Sequence, residues 1–296
     1  MLILYCSKPD PYRLKTLAKQ RLDTLLVSLD LCTSRQQAQA LIRTGKVSIN
    51  QQVVDKPGTE VDIASKIQIK ERSRYVSRGG DKLAKALEVF AIPVTDRICL
   101  DGGISTGGFT DCLLQAGAAK VYGVDVGYGQ ADWGLRNDPR VILKERTNLR
   151  YMTPTELYGD SPVADLAVVD VSFISLDKIL PALWELLMPP KEAVLLVKPQ
   201  FEVGRERVGK KGVVRDSATQ ADAIFQVWKA ARALGWEERG LTWSPLLGPA
   251  GNIEYLLWLG IDREPEPEPR AIEEGVVKER ILEVAKAAAR ELINRL

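Results

Sequence analysis

Leu100-Asp101-Gly102-Gly103-Ile104-Ser105-Thr106-Gly107-Gly108-Phe109-Thr110-Asp111 reads as the end of an apolar strand, a glycine turn and the start of a helix. Glycines let a strand bend sharply into a helix and let a ligand approach the backbone. Three glycine loops compete for this stretch. Gly103-Ile104-Ser105-Thr106-Gly107 matches the Gly-x-Ser-x-Gly elbow of serine hydrolases, but that elbow needs a histidine and the chain has none. No Gly-Lys-Ser/Thr follows at the spacing of a triphosphate-binding loop. Ser105 stands where a dinucleotide fingerprint has its second glycine. What remains is a ligand with a nucleoside but no pyrophosphate, and S-adenosylmethionine is of that kind. Asp125 supports it: it closes the next apolar run about 20 residues on, where a carboxylate can accept from both ribose hydroxyls. The plain alternative is a tight strand-to-helix turn whose acids cap helices.

Outward from this turn, apolar strands are expected at 97–101, 120–125, 140–144, 165–171, 192–198, 240–244 and 253–261, with helices at 105–117, 175–188 and 217–234. Such alternation predicts an α/β domain: a Rossmann-like, doubly wound, mainly parallel sheet that binds ligands at the carboxyl ends of its strands. Ahead of it, residues 12–72 read as a small α+β unit. Leu22, Leu25, Leu26 and Leu29 recur at helical spacing, Ser34 caps a second helix, Gly45 stops it, and short strands follow. The expected division is 12–72, a linker at 73–80, the α/β domain at 81–262, a Pro/Glu tether at 263–270 and a last helix at 271–296, docked on its own core.

The missing histidine also removes Ser-His-Asp and Cys-His chemistry and the zinc helix, leaving Lys, Asp, Glu, Tyr or Cys for proton transfer. Four cysteines without CxxC spacing suggest buried thiols in a reducing compartment and no metal site. No apolar run reaches the roughly 18 residues that cross a bilayer, so the expectation is a cytoplasmic chain with no membrane partner. Net charge is +2, unevenly spread: residues 1–78 hold 14 Lys and Arg against 7 Asp and Glu, and residues 79–296 hold 27 against 32. A basic front module predicts a polyanionic partner.

Within that module Arg21, Arg35, Arg43 and Lys46 fall on or beside the two helices. The pattern Arg21-Leu22-Asp23, Ser34-Arg35, Ala38, Leu41-Ile42, Gly45, Val47, Asn50 and Lys56-Pro57 resembles the small RNA-binding fold named after ribosomal small-subunit protein four. The resemblance implies docking on structured RNA through phosphate contacts.

In the α/β domain, Lys82 lies at a helix start, Asp170 and Lys198 end apolar strands, and Glu254 begins one. Ser77-Arg78-Gly79-Gly80-Asp81-Lys82-Leu83, Ser105-Thr106-Gly107-Gly108-Phe109-Thr110-Asp111, Val169-Asp170-Val171-Ser172-Phe173-Ile174-Ser175-Leu176, Val197-Lys198-Pro199-Gln200-Phe201-Glu202 and Gly251-Asn252-Ile253-Glu254-Tyr255 resemble the TlyA family across about residues 12–261. Its members are two-domain 2′-O-ribose methyltransferases of ribosomal RNA, and some carry the name hemolysin. The second domain is similar to FtsJ-type enzymes, whose Lys-Asp-Lys-Glu site falls on Lys82, Asp170, Lys198 and Glu254. The resemblance implies S-adenosylmethionine along Asp101, Gly103, Ser105, Thr106, Gly107, Gly108, Phe109, Asp125, Val126 and Asp170, with Lys198 taking the ribose hydroxyl proton and Asp170 and Glu254 orienting it.

Downstream of Lys198, residues 204–215 form a glycine-bounded loop with Arg205, Arg207, Lys210, Lys211 and Arg215. It reads as a flexible loop that clamps RNA, or else as a merely solvated one. The resulting expectation is a 2′-O-methyltransferase acting on a cytidine in ribosomal RNA or in a ribosomal subunit. The rivals are a non-catalytic ribosome-assembly factor and a hemolysin-like membrane activity. Against the second, the sequence holds no long, strongly amphipathic basic helix.

Overall fold

The computed structural model describes residues 19–69, 74–261 and 273–293 of the chain. The chain divides after Ser73 into two compact units.

The first unit comprises β1 (Lys19–Arg21), α1 (Leu22–Ser28), α2 (Arg35–Arg43), β2 (Val47–Ile49), β3 (Gln52–Val53), β4 (Glu60–Asp62) and β5 (Ile67–Ile69). β1 pairs antiparallel with β4, and β3, β2 and β5 form an antiparallel three-stranded sheet. Leu22, Leu25 and Leu26 of α1 pack against Ala38 and Ile42 of α2 and Val47 of β2. Ser34 caps α2 as its sequence suggests, its hydroxyl accepting from Gln37 N at 3.2 Å.

The second unit runs α3 (Gly79–Val89), β6 (Ile98–Gly102), α4 (Gly108–Gln115), β7 (Lys120–Val124), α5 (Trp133–Arg136), β8 (Val141–Lys144), α6 (Pro154–Tyr158), β9 (Leu166–Val169), α7 (Leu180–Leu186), β10 (Glu192–Val197), α8 (Pro199–Glu202), α9 (Ser217–Leu234), β11 (Glu237–Trp243), β12 (Tyr255–Gly260) and α10 (Glu274–Ile293). Its seven strands lie in the order β11-β12-β10-β9-β6-β7-β8. β10, β9, β6, β7 and β8 are parallel, while β12 runs antiparallel to both its neighbours.

Successive strand residues enter opposite cores. Leu166 and Val168 join Leu83 of α3 and Leu113 of α4, whereas Ala167 and Val169 join Leu183 of α7 and Ile224 of α9. A parallel sheet covered on both faces needs this continuous apolar run. The connection leaves β6 toward β7 on one side and β9 lies on the other, so the carboxyl end of β6 opens at the switch in strand order where such sheets bind ligands.

One expected boundary shifts. Tyr75 is buried in the core with Leu83, and Gly79 and Gly80 already open α3, so residues 74–80 are built into the second unit and are no free linker. The last helix packs through Val277, Ile281, Ala285, Ala288 and Leu292 into the core that contains α9. The expected tether at 263–270 lies outside the described residues. No described helix is long and apolar enough to cross a membrane.

Candidate active site

The turn after β6 depends on missing side chains. Gly103 and Gly107 have φ of +90° and +99°, in the left-handed region. A Cβ on Gly103 would stand 2.6 Å from the Asp170 carbonyl oxygen, and one on Gly107 2.2 Å from Leu135 Cδ1. A Cβ on Gly108 would meet Ser77 Oγ at 2.2 Å and Gly80 N at 2.8 Å, so α3 and α4 start against each other. Ile104 is buried and fills the space over Gly123 that another side chain would occupy.

Two carboxylates bracket the turn. Asp101 is fully buried: Thr110 Oγ1 donates to its Oδ2 at 2.6 Å, and its Oδ1 has no hydrogen-bond partner. Burial pushes this carboxyl up to about 7. Asp125 accepts from Ser105 N and from Gly127 N, each at 2.7 Å, one on each oxygen. It therefore shapes the turn itself, and each oxygen keeps a second lone pair for a ligand.

The four charged residues form two pairs. Lys198 Nζ lies 2.6 Å from Asp170 Oδ1 and donates to Ser172 Oγ at 2.9 Å. Lys82 Nζ lies 2.5 Å from Glu254 Oε2. Glu254 thus holds Lys82, where the sequence suggested it would orient Lys198. Lys198 and Glu254 are buried. Both pairs face one cleft of about 770 Å³, whose wall includes Gly103–Thr106, Gly108, Phe109, Ser172, Phe173, Gln200 and Phe201.

The cleft does not reach every expected ligand contact. Asp101 is buried off the cleft, and Asp125, Gly107 and the 71% exposed Val126 are not on the cleft wall. Residues read past in the sequence are Ser172, which ties Lys198, and Gln200 and Phe201, which line the wall. All three sit inside motifs that carry Asp170 or Lys198, and that adjacency was the available signal.

The expected RNA-binding cations differ among themselves. In the first unit the Arg21 and Arg35 guanidiniums both reach Asp23 Oδ2 at 3.0 Å, and Gln39 Nε2 donates to the same oxygen at 2.9 Å. Asp23 is fully buried, and the Arg21 hydrogen bond leads the contacts that hold its carboxyl far below the usual range. These arginines build the unit as well as facing solvent. Arg43 is exposed and Lys46 half-buried.

In the second unit Arg205, Arg207, Lys210 and Lys211 are exposed, and the last three line a hollow of about 410 Å³ with Arg215. Arg207 also pairs with Asp222 at 2.9 Å. The loop is less free than its composition suggests: buried Asn252 donates from Nδ2 to Gly212 O at 2.8 Å and accepts from Val214 N at 2.9 Å.

Residues 75–261 match the FtsJ-like methyltransferase family, and residues 20–67 match the S4 domain. A 16S/23S rRNA (cytidine-2′-O)-methyltransferase, TlyA of Mycobacterium tuberculosis, is 47% identical over 260 residues, 87% of this chain and 96% of the relative. The chain belongs to the TlyA family. Another relative, YqxC of Bacillus subtilis, named for rRNA methyltransferase activity, is 48% identical over 258 residues, 86% of this chain and 91% of its own. A solved structure of a hemolysin-named protein from Streptococcus thermophilus has a TM-score of 0.70 and 41% identity, over 95% of this chain and 99% of that one. The family, its α/β fold and its order of domains agree with the sequence reading, and the TlyA and FtsJ-like assignments make this chain a methyltransferase.

The site suits the cofactor of this class. Asp125 keeps acceptor capacity, and Gly103 and Gly108 leave two positions of the cleft wall without side chains.

Proposed function

We propose that this chain transfers the methyl group of S-adenosylmethionine to the ribose 2′-hydroxyl of a cytidine in ribosomal RNA, acting in the cytoplasm on the RNA or on ribosomal subunits. The observation that carries the reading is one cleft lined by the Lys198–Asp170 pair, the Lys82–Glu254 pair and the glycine turn. The name of the Mycobacterium tuberculosis relative supports cytidine and ribosomal RNA as the substrate.

Asp125, the turn from Gly103 to Phe109 and Val126 would hold the cofactor, which supplies an electrophilic methyl group when bound, while buried Asp101 supports the turn through Thr110. The chain's own residues handle the hydroxyl. Lys198, having released its own proton to water, accepts the 2′-hydroxyl proton on Nζ as the methyl ether forms. Asp170 and Ser172 aim that nitrogen, and Asp170 offsets the charge it gains. Lys82 and Glu254 fix another part of the cleft wall, so that little reorganisation accompanies reaction. Arg43 and Lys46 in the first unit, the outward faces of Arg21 and Arg35, and the 205–211 cations bind phosphates.

The test is tritiated methyl transfer to ribosomal subunits that lack the modification, followed by mapping of ribose methylation. Incorporation at a cytidine 2′-oxygen supports the reading. RNA binding with neither cofactor binding nor transfer would replace it with an assembly factor.

A further inference from the structure

A fifth carboxylate, at the end of α8, ties the segment that Lys198 opens to the loop that carries Asp170. The main-chain pairing of β9 with β10 ends at Val169 and Leu195. Asp170 lies one residue and Lys198 three residues past that last paired position; Val197 still pairs with Tyr255 of β12 and Asp170 N donates to Gly102 O, but the β9–β10 pairing itself stops short of them. Side chains bridge that gap. At the cleft, Lys198 meets Asp170 and Ser172. Next, the Phe173 and Phe201 rings pack with centroids 5.1 Å apart. Farther on, Glu202, four residues after Lys198, accepts from Ser175 Oγ at 2.5 Å and from Leu176 N at 3.1 and 3.3 Å.

Ser175 and Leu176 lead into a 3-10 turn, Leu176–Lys178, that anchors the far end of the Asp170 loop. Leu176 is buried in the main core, so this anchor is rigid. Phe173, between the two ends, is 92% exposed and has a φ of +64°. A loop with so exposed and unfavourable a residue at its middle does not hold its own shape and needs fixing at its ends. Glu202 is largely enclosed, and that burial pushes its carboxyl up to about 7. An enclosed acid at this place is costly unless its donors are kept.

We propose that Glu202 is a positioning residue for methyl transfer, which by holding Ser175 and Leu176 sets the spacing between the Asp170 loop and Lys198. The inference rests on the Proposed function for its chemistry. A displacement of about 1 Å can cost on the order of a hundredfold in rate, so a brace outside the cleft can matter as much as a contact inside it.

The variants are Glu202→Ala, Glu202→Gln, which keeps one acceptor, and Ser175→Ala, which spares the carboxylate. Turnover on unmodified ribosomal subunits should fall about a hundredfold for Glu202→Ala and about tenfold for the other two. KM for the subunits and calorimetric affinity for S-adenosylmethionine should stay within twofold. Combining Ser175→Ala with Glu202→Ala should cost no more than Glu202→Ala alone, because both remove one tie. Crystal structures of Glu202→Gln and Ser175→Ala give a readout independent of activity: the Lys198 Nζ to Asp170 Oδ1 gap should open beyond hydrogen-bond distance. Unchanged turnover in all three variants overturns the proposal, as does a loss that lies wholly in cofactor affinity. If the wild-type chain transfers no methyl group, the Proposed function fails, and the gap still decides about Glu202: a pair left in contact in both variants overturns it.

Discussion

Lys198 and Asp170 extend from neighbouring parallel strands and meet at 2.6 Å, past the point where those strands cease to pair. Lys198→Ala and Asp170→Ala should each lower methyl transfer by at least about a thousandfold, the scale set by losing a positioned general base. Cofactor affinity measured by calorimetry should change little. Near-normal turnover in either variant would sink the assignment.

Lys82 and Glu254 form a pair whose side chains are 12% and 2% exposed. Lys82→Met leaves a buried carboxylate without its partner and should cost about 3–5 kcal/mol of stability in urea unfolding. Adding Glu254→Gln should restore part of that loss. If the single and double variants are equally unstable, the pair contributes packing and not charge compensation.

Asp101 binds its proton more tightly when folded, because burial raises its carboxyl from 3.8 to about 7. Its linkage therefore penalises the folded state progressively as pH climbs from about 4 to about 7, and by a constant amount above that. Asp101→Asn should remove this slope. The melting temperature of the variant relative to wild type should rise across that window, by an amount on the order of a few kcal/mol in stability. A difference that does not vary with pH would mean Asp101 stays ionised in the fold.

Arg205, Arg207, Lys210 and Lys211 are exposed along one loop. Replacing all four with Gln should weaken RNA binding at low salt and flatten the plot of log affinity against log salt by about 0.7–0.9 for each phosphate that is no longer neutralised. An unchanged slope would remove the loop from the RNA interface.

Asp23 gathers Arg21, Arg35 and Gln39 around one buried carboxylate. A carboxyl held below its ordinary value stabilises the fold above the unfolded value of about 4 and loses that contribution as pH falls further. Asp23→Asn should lower the stability of the first unit by about 1–3 kcal/mol at pH 7 and by less at pH 3. Thermal melts of residues 1–73 within the full chain, followed by amide exchange, would show it, and an equal loss at both pH values would refute it.

The strands were legible because their apolar runs are bounded by Gly, Asp and Lys, and because both faces of the sheet are covered. Val194, Leu195, Leu196 and Val197 offer no other reading. Lys82, Asp170, Lys198 and Glu254 were legible as charges at element ends. Their pairing was not: Lys82 and Glu254 stand 172 residues apart, and only the packing of α3 on the sheet brings them together. Glu202 passed as one more acid beside Lys198, because its partners Ser175 and Leu176 belong to another loop. Arg21 and Arg35 read as phosphate contacts alone, because nothing in a one-dimensional pattern tells that Asp23 is inside.

The two ion pairs in the cleft sum to no formal charge. Paired charges cast only a short field, and Arg78 is the one charged residue outside the two pairs among the described residues of the cleft wall. Most of the long-range attraction must then come from cations outside the cleft. Capture and chemistry are thereby assigned to different side chains: added salt should slow the arrival of the substrate and leave the rate of the bound complex nearly untouched.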